Sequence, residues 1–297
     1  MKGERGACGE TAALRLAVAG LHFGEEPPLT GTGGSGTVFL SGCAMGCPFC
    51  QNHRISRGGM GRAVDHGEFV AICEALRNAG AENLNLVTPS HMAPTLAGYL
   101  AAVRDGGLDL PVAWNSSGYE SHEAVALVSP VVDIWLSDLK TLDAATARDI
   151  YGTPDYPEAA RAALETMAAA GSPVTGAGGR LVRGLMVRHL VIPGLLESTK
   201  GVLEWFAENL AGRAWLSLMT QYTPVRVPGE QRRVPERQLN ETEYNRLLAW
   251  LEDFGIDDGF VQDLVPGDEW LPDFDRRNPF GSELSRVVWR WDTGFAV

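Results

Sequence analysis

Phe39-Leu-Ser-Gly-Cys-Ala-Met-Gly-Cys-Pro-Phe-Cys-Gln-Asn52 sets Cys43, Cys47 and Cys50 in a C-x3-C-x2-C loop directly behind a short apolar run. Three thiolates at this spacing can hold three irons of a cubane [4Fe–4S] cluster, leaving the fourth iron without a protein ligand and open to a small molecule. An open iron implies chemistry as well as electron storage. Structural zinc takes four ligands in two close pairs, and no second C-x2-C or H-x3-H follows in this chain. A disulfide framework fits no better, because five cysteines are an odd count and 297 residues suffice for an ordinary core.

Outward from the loop, short β-branched or apolar runs alternate with helix-length segments. Six runs read as strands, at 37–40, 83–87, 112–114, 132–136, 185–191 and 215–219. Alternation of this kind gives parallel strands joined by helical crossovers. Six units fall short of the eight that close a TIM barrel, so the expected fold is α/β, a partial, open (β/α)6 TIM-like barrel. Phe69, Ile72, Cys73 and Leu76 fall at i, i+3, i+4 and i+7 of a helix over 68–80, which makes Cys73 a small core hydrophobe. Pro157 and Gly171 punctuate a second helix, and 241–254 predicts a third. The chain divides into an N-terminal segment (1–30), the barrel core (31–225), and a C-terminal helix and extension (226–297). The extension carries Trp270, Trp289 and Trp291 and is expected to pack on the barrel as cover for an open edge.

Composition bounds the partners. A formal charge of −12 disfavours nonspecific binding to nucleic acid, which needs a basic surface for counterion release. Gln231-Arg-Arg233 and Arg276-Arg277 read as basic spots on solvated loops. No apolar run approaches the ~20 residues of a membrane span. The first residues lack the apolar core of a secretory signal, so the expected location is the cytoplasm.

The polar motifs follow the ends of predicted strands: the cysteine loop, Thr88, Asn115 with Ser116 and Ser117, Asp138 with Lys140, and Gln221 with Tyr222, while Arg188 and His189 lie within the fifth. Loops at the carboxyl ends of parallel strands face one site, so these separate segments are expected to converge.

The cysteine loop, with Phe49 just before its last cysteine, resembles the signature of the radical S-adenosylmethionine (SAM) superfamily. More narrowly, the chain resembles the pyruvate formate-lyase activating-enzyme-like subgroup. The likeness extends to Asn85-Leu-Val-Thr-Pro-Ser-His91, Trp114-Asn-Ser-Ser-Gly-Tyr119, Ser137-Asp-Leu-Lys140, Val187-Arg-His-Leu-Val-Ile-Pro-Gly194 and Met219-Thr-Gln-Tyr-Thr-Pro224, from about residue 20 to the C terminus. It implies the same partial barrel, with a [4Fe–4S] cluster on Cys43, Cys47 and Cys50 and S-adenosyl-L-methionine on its open iron. It further implies reductive cleavage to a 5′-deoxyadenosyl radical that abstracts hydrogen, in the named subgroup from a glycine Cα of a glycyl radical enzyme. A flavodoxin or ferredoxin-type reductant would supply the electron.

The same resemblance assigns Asp138 and Lys140 to SAM and to a monovalent cation, and Arg188 to SAM. Asn115 and Ser116 stand where the activating enzymes carry Asp-Thr, an exchange that removes a charge. Thr88-Pro-Ser-His91 replaces the usual Gly-Gly-Glu, and Thr88 ranks ahead of His91 as acceptor for the SAM ammonium. Cys8 resembles the end of a longer cysteine segment whose other cysteines are missing, so no second cluster is expected there. The rival reading is a noncatalytic iron–sulfur redox carrier or sensor, which would complete its cluster with Cys8 or Cys73.

Overall fold

The computed structural model describes residues 5–265, 267–268 and 270–296. Its strands in chain order are β1 Arg15–His22, β2 Ser35–Leu40, β3 Arg62–Ala63, β4 Leu84–Val87, β5 Val112–Ser116, β6 Ile134–Asp138, β7 Val174–Thr175, β8 Leu181–Leu190, β9 Ala214–Met219, β10 Gly259–Val261, β11 Ser285–Arg290 and β12 Gly294–Phe295. They form one sheet in the order β10-β9-β8-β6-β5-β4-β2-β1-β11-β12, with β3 on β1 and β7 on β8. The six strands read from the sequence are β2, β4, β5, β6, β8 and β9, neighbours in that order and all parallel. β10 and β12 stand at the two ends of the order, so the sheet is open: a partial α/β barrel.

Helices supply the crossovers. α1 (His66–Asn78) starts where Asp65 accepts the Glu68 N–H at 2.9 Å, and it buries Phe69, Ile72, Cys73 and Leu76, the expected stripe. Cys73 is fully buried, as a core hydrophobe would be. α2 (Ala93–Asp105) and α3 (His122–Val128) follow β4 and β5, and α4 (Tyr156–Ala168) carries Pro157 in its first turn. α5 (Leu196–Asn209) follows β8, and α6 (Glu241–Asp253) opens on a capping box between Asn240 and Glu243. Each fully buried Leu or Phe on these faces contributes roughly 1.5–3 kcal/mol. Among the described residues, no helix is long and apolar enough to cross a membrane.

Two parts of the sheet lie outside the six-strand reading. β1 comes from residues placed in the N-terminal segment, yet it pairs antiparallel with β2 on one side and β11 on the other. All six of its central residues are buried, so no alternation marks it. The C-terminal extension contributes to both sides of the sheet: β10 adds parallel to β9, and β11 adds to β1. Trp289 of β11 anchors that packing, with its ring N–H 3.0 Å from Glu68 and the Arg62 guanidinium 4.9 Å from the ring centre.

Candidate active site

The carboxyl ends of the parallel strands open on a cavity of about 640 Å³, within the range of small-molecule sites. Cys43, Cys47, Cys50, Thr88, Asn115, Ser116, Asp138, Lys140 and Arg188 all line it, as do Ser117, Gln221 and Tyr222. The convergence expected from strand ends is therefore present. Period-two alternation separates Arg188 from its neighbour: Arg188 faces the cavity, whereas His189 is buried with Nδ1 2.6 Å from the Leu139 carbonyl and Nε2 3.0 Å from the Thr199 hydroxyl. Burial lowers the His189 pKa to about 4, so this histidine is a neutral strut between β6 and α5.

The three loop cysteines are free thiols. Burial pushes Cys47 up to about 12 against the pull of Lys140, and the nearby Cys50 and Cys43 sulfurs add to the rise. Cys50 is also raised by burial, opposed by a Ser56 hydroxyl at 3.4 Å. Cys47, raised that far, keeps its proton until a metal displaces it. Among the described residues, no three His, Cys, Asp or Glu side chains converge on a single ion. A cubane asks for a different arrangement, with its cysteines on separate irons. Three adjacent thiols on one loop, facing one cavity, fit that group. Neither Cys8 nor Cys73 lines the cavity.

The base of the loop is braced from behind. Gly42 has φ +88°, and a Cβ there would lie 2.5 Å from Glu10 Cγ, so glycine lets the N-terminal segment close on the loop. His91 Nε2 sits 2.8 Å from the Ser41 carbonyl, an arrangement in which Nε2 carries the proton and donates. His91 thus supports the loop and is absent from the cavity wall, while Thr88 lines it. Among the described residues, Thr88 is the one non-glycine with positive φ, +62°, at a cost of about 1–2 kcal/mol. Its N–H donates to the Asn115 carbonyl at 2.8 Å. Strain of this kind gathers at ligand-holding positions.

Charge balance distinguishes the two cavity cations. Lys140 Nζ lies 2.6 Å from Asp138. Burial works against its charge, but Asp138 and then Cys47 lift its pKa well above the ordinary lysine value. Arg188 is held by two carboxylates that the sequence reading missed, Glu25 at 3.4 Å and Glu26 at 3.2 Å, both from the loop after β1. Glu26 also accepts from the Ser217 hydroxyl at 2.6 Å, and Glu25 from the Asn85 amide at 3.2 Å. Burial raises the Glu25 pKa, while Arg188 pulls it back. Arg188 therefore presents a guanidinium compensated by two carboxylates, whereas Lys140 faces one, which leaves Lys140 the less compensated charge for a ligand carboxylate. The signal for the missed pair was its position: two acids between an apolar run and Pro27-Pro28. His22, Phe39, Trp270, Phe280 and Leu284 complete the apolar part of the wall.

Tyr156 ties β5 to β6. Its hydroxyl lies 2.8 Å from the Ser117 carbonyl and 2.9 Å from that of Asp138, and accepts the Lys140 N–H at 2.9 Å. One buried phenol thus fixes the turn that carries Asn115 through Ser117 and the turn that carries Lys140.

A protein of Methanocaldococcus jannaschii described as uncharacterized is 26% identical over 247 residues, covering 80% of this chain and 67% of its own. Two solved structures share the fold. SuiB of Streptococcus suis bound to S-adenosylmethionine aligns at a TM-score of 0.50 and 12% identity over 77% of this chain. The FeFe-hydrogenase maturase HydG of Carboxydothermus hydrogenoformans aligns at 0.52 and 11% over 76%. The matched part is 52% of each of those two chains, so this chain spans about half the length of either. Residues 37–205, more than half of the sequence and the part that holds every cysteine-loop and strand-end residue described above up to Arg188, match the Radical SAM superfamily, and the chain belongs to that superfamily.

Proposed function

We propose that the chain is a radical SAM enzyme that cleaves S-adenosyl-L-methionine reductively and uses the resulting 5′-deoxyadenosyl radical to abstract hydrogen from a substrate. The observation that carries this reading is the meeting of three free thiols with Thr88, Asn115, Ser116, Asp138 and Lys140 around one cavity. Cys43, Cys47 and Cys50 would hold a [4Fe–4S] cluster, which when bound supplies the electron that splits SAM.

The protein's share is placement and exclusion of water. Lys140, kept cationic by Asp138, pairs with the SAM carboxylate. Thr88 would offer its hydroxyl or carbonyl to the ammonium, and Asn115 and Ser116 an uncharged amide and hydroxyl on the same cavity wall. Asp138, the carboxylate a monovalent cation would need, is held by Lys140 at 2.6 Å, so the ammonium takes that role. Phe39, Phe280 and Leu284 give the cavity an apolar wall. The motif likeness makes a glycine Cα in a partner polypeptide, as in a glycyl radical enzyme, the proposed hydrogen donor, with flavodoxin or ferredoxin as reductant.

The rival redox carrier or sensor needs a fourth thiolate, and the candidates Cys8 and Cys73 are both off the cavity wall. The test is direct. After anaerobic reconstitution with iron and sulfide, dithionite plus SAM is expected to yield 5′-deoxyadenosine, and Cys47→Ala to abolish it. A fully reconstituted sample that forms none sinks the reading. A reduced-cluster EPR spectrum indifferent to SAM shifts the case to the carrier. Activation of a glycyl radical partner is read separately, as a glycyl doublet on that partner.

A further inference from the structure

Gln231-Arg-Arg233 reads in the sequence as a solvated basic loop, but the structure puts its middle residue to a different use. Arg232 donates to the Gly46 carbonyl at 2.8 Å and to the Ile150 carbonyl at 3.1 Å, and pairs with Glu230 at 2.5 Å. Arg57, just past the short helix His53–Ser56, donates to the Cys47 carbonyl at 2.7 Å and reaches the same Glu230 at 3.0 Å. Two guanidiniums from opposite ends of the chain thus grip consecutive carbonyls of the cysteine loop, joined by one carboxylate. Arg232 and Arg57 hold the Glu230 carboxyl well below the usual range, so the triad carries a net positive charge.

The loop needs such a grip. Gly42 just before the first thiol and Gly46 between the first two both sit at positive φ, +88° and +61°, so the backbone of the loop has little stiffness of its own. Sulfurs that gather negative charge as a metal displaces their protons repel one another, which favours opening. Donors fixed on the Gly46 and Cys47 carbonyls oppose that. A one-electron reduction adds negative charge to any group held by the three sulfurs, and a nearby net-positive triad favours the reduced form.

We infer that Arg232 is a positioning residue: through Glu230 and Arg57 it holds the 46–47 segment in its ligand-ready form before any metal arrives, and it raises the reduction potential of the group bound there. The redox half of this inference rests on the cluster reading above; the mechanical half does not, and is tested on the metal-free chain.

Hydrogen–deuterium exchange of metal-free protein reports on 43–50, where the Cys50 N–H donates to the gripped Cys47 carbonyl at 3.3 Å. Arg232→Ala is expected to speed exchange in 43–50 at least tenfold, with the chain beyond that loop and the direct contacts of Arg232 at 147–152 and 230–232 unchanged, and Arg57→Ala to speed 43–50 alike from the other flank. Arg232→Lys keeps the charge and loses the fork, so it is expected to speed exchange as well, yet to retain the midpoint potential after reconstitution. Arg232→Ala is expected to lower that potential by about 59 mV, a tenfold change in a one-electron equilibrium. Unchanged exchange in 43–50, or a uniform rise across the chain, overturns the clamp. A potential that falls equally in the Lys and Ala variants overturns the charge effect. Wild-type protein that never loads a cluster, while the exchange result holds, refutes the proposed function and leaves the clamp standing.

Discussion

Gly118→Ala separates the geometry of the strand ends from the stability of the fold. Gly118 has φ +73°, and a Cβ on it would lie 2.2 Å from the Asp138 carbonyl oxygen, with the Ser137 and Tyr156 hydroxyls at 3.3 Å. Backbone must move, because carbon–oxygen contacts below 3.0 Å do not persist; the carbonyl has to retreat by about 0.8 Å. That carbonyl is the one Tyr156 holds, and it leads straight to Lys140. The left-handed backbone costs an L-residue about 1–2 kcal/mol, and overpacking against fixed neighbours about 1–3 more. A central value of about 3 kcal/mol lowers the melting temperature by about 5 °C, because unfolding a chain of 297 residues carries an entropy of about 0.6 kcal/mol/K. Gly107→Ala is the control: its φ is +86°, but nothing lies within 4 Å of the new carbon, so only the first cost applies. Differential scanning calorimetry on both variants, with titration calorimetry of SAM on reconstituted protein, reads the two effects. SAM affinity is expected to fall at least tenfold in Gly118→Ala and to stay unchanged in Gly107→Ala. Equal melting and equal SAM affinity in the two variants would refute the claim that the Gly118–Asp138 approach sets the position of Lys140.

Three further outcomes are expected. Lys140→Met removes a charge-assisted contact worth about 1.5–3 kcal/mol, weakening SAM binding about 10- to 150-fold by calorimetry; a change under about threefold leaves Lys140 without the assigned role. Trp289→Ala empties a fully buried site and removes the ring N–H from a Glu68 carboxylate that Arg62 still holds, for a loss of about 3–5 kcal/mol in urea unfolding; a loss below about 1 kcal/mol means that β11 does not anchor the sheet. Arg237, with the N–H groups of Asn240 and Gly194, depresses the Glu243 pKa to about 2. A depressed carboxylate stabilises above its unfolded value near 4.5, and the contribution is lost as pH falls toward 2. The stability gap between wild type and Glu243→Gln is therefore expected to shrink across that window, and a gap independent of pH contradicts the assignment.

The six central strands were legible because each is an apolar run between helix-length segments, and parallel pairing follows from that order alone. β1 was not, because burial on both faces removes its alternation, and β10 was not, because three residues carry no period. The cavity residues divide in the same way. Thiols, Lys140 and Asp138 declare their chemistry by type and spacing, so their meeting could be expected from strand ends. Glu25 and Glu26 are ordinary surface residue types until the sheet brings Arg188 of β8 against the loop after β1, about 160 positions away in sequence. Arg232 was read as solvated for a related reason: its acceptors are backbone carbonyls, which every residue has and no motif records. Parts that define cofactor chemistry are thus written in side-chain types, whereas parts that set charge balance and hold the loop are written in tertiary contacts. Two chains can share every motif block and still differ on the part of the cavity wall that His22, Glu25, Trp270 and Phe280 supply from segments outside those blocks. Substrate choice is to be sought there, because a substitution on that wall leaves the cysteines, Lys140 and Thr88 in place.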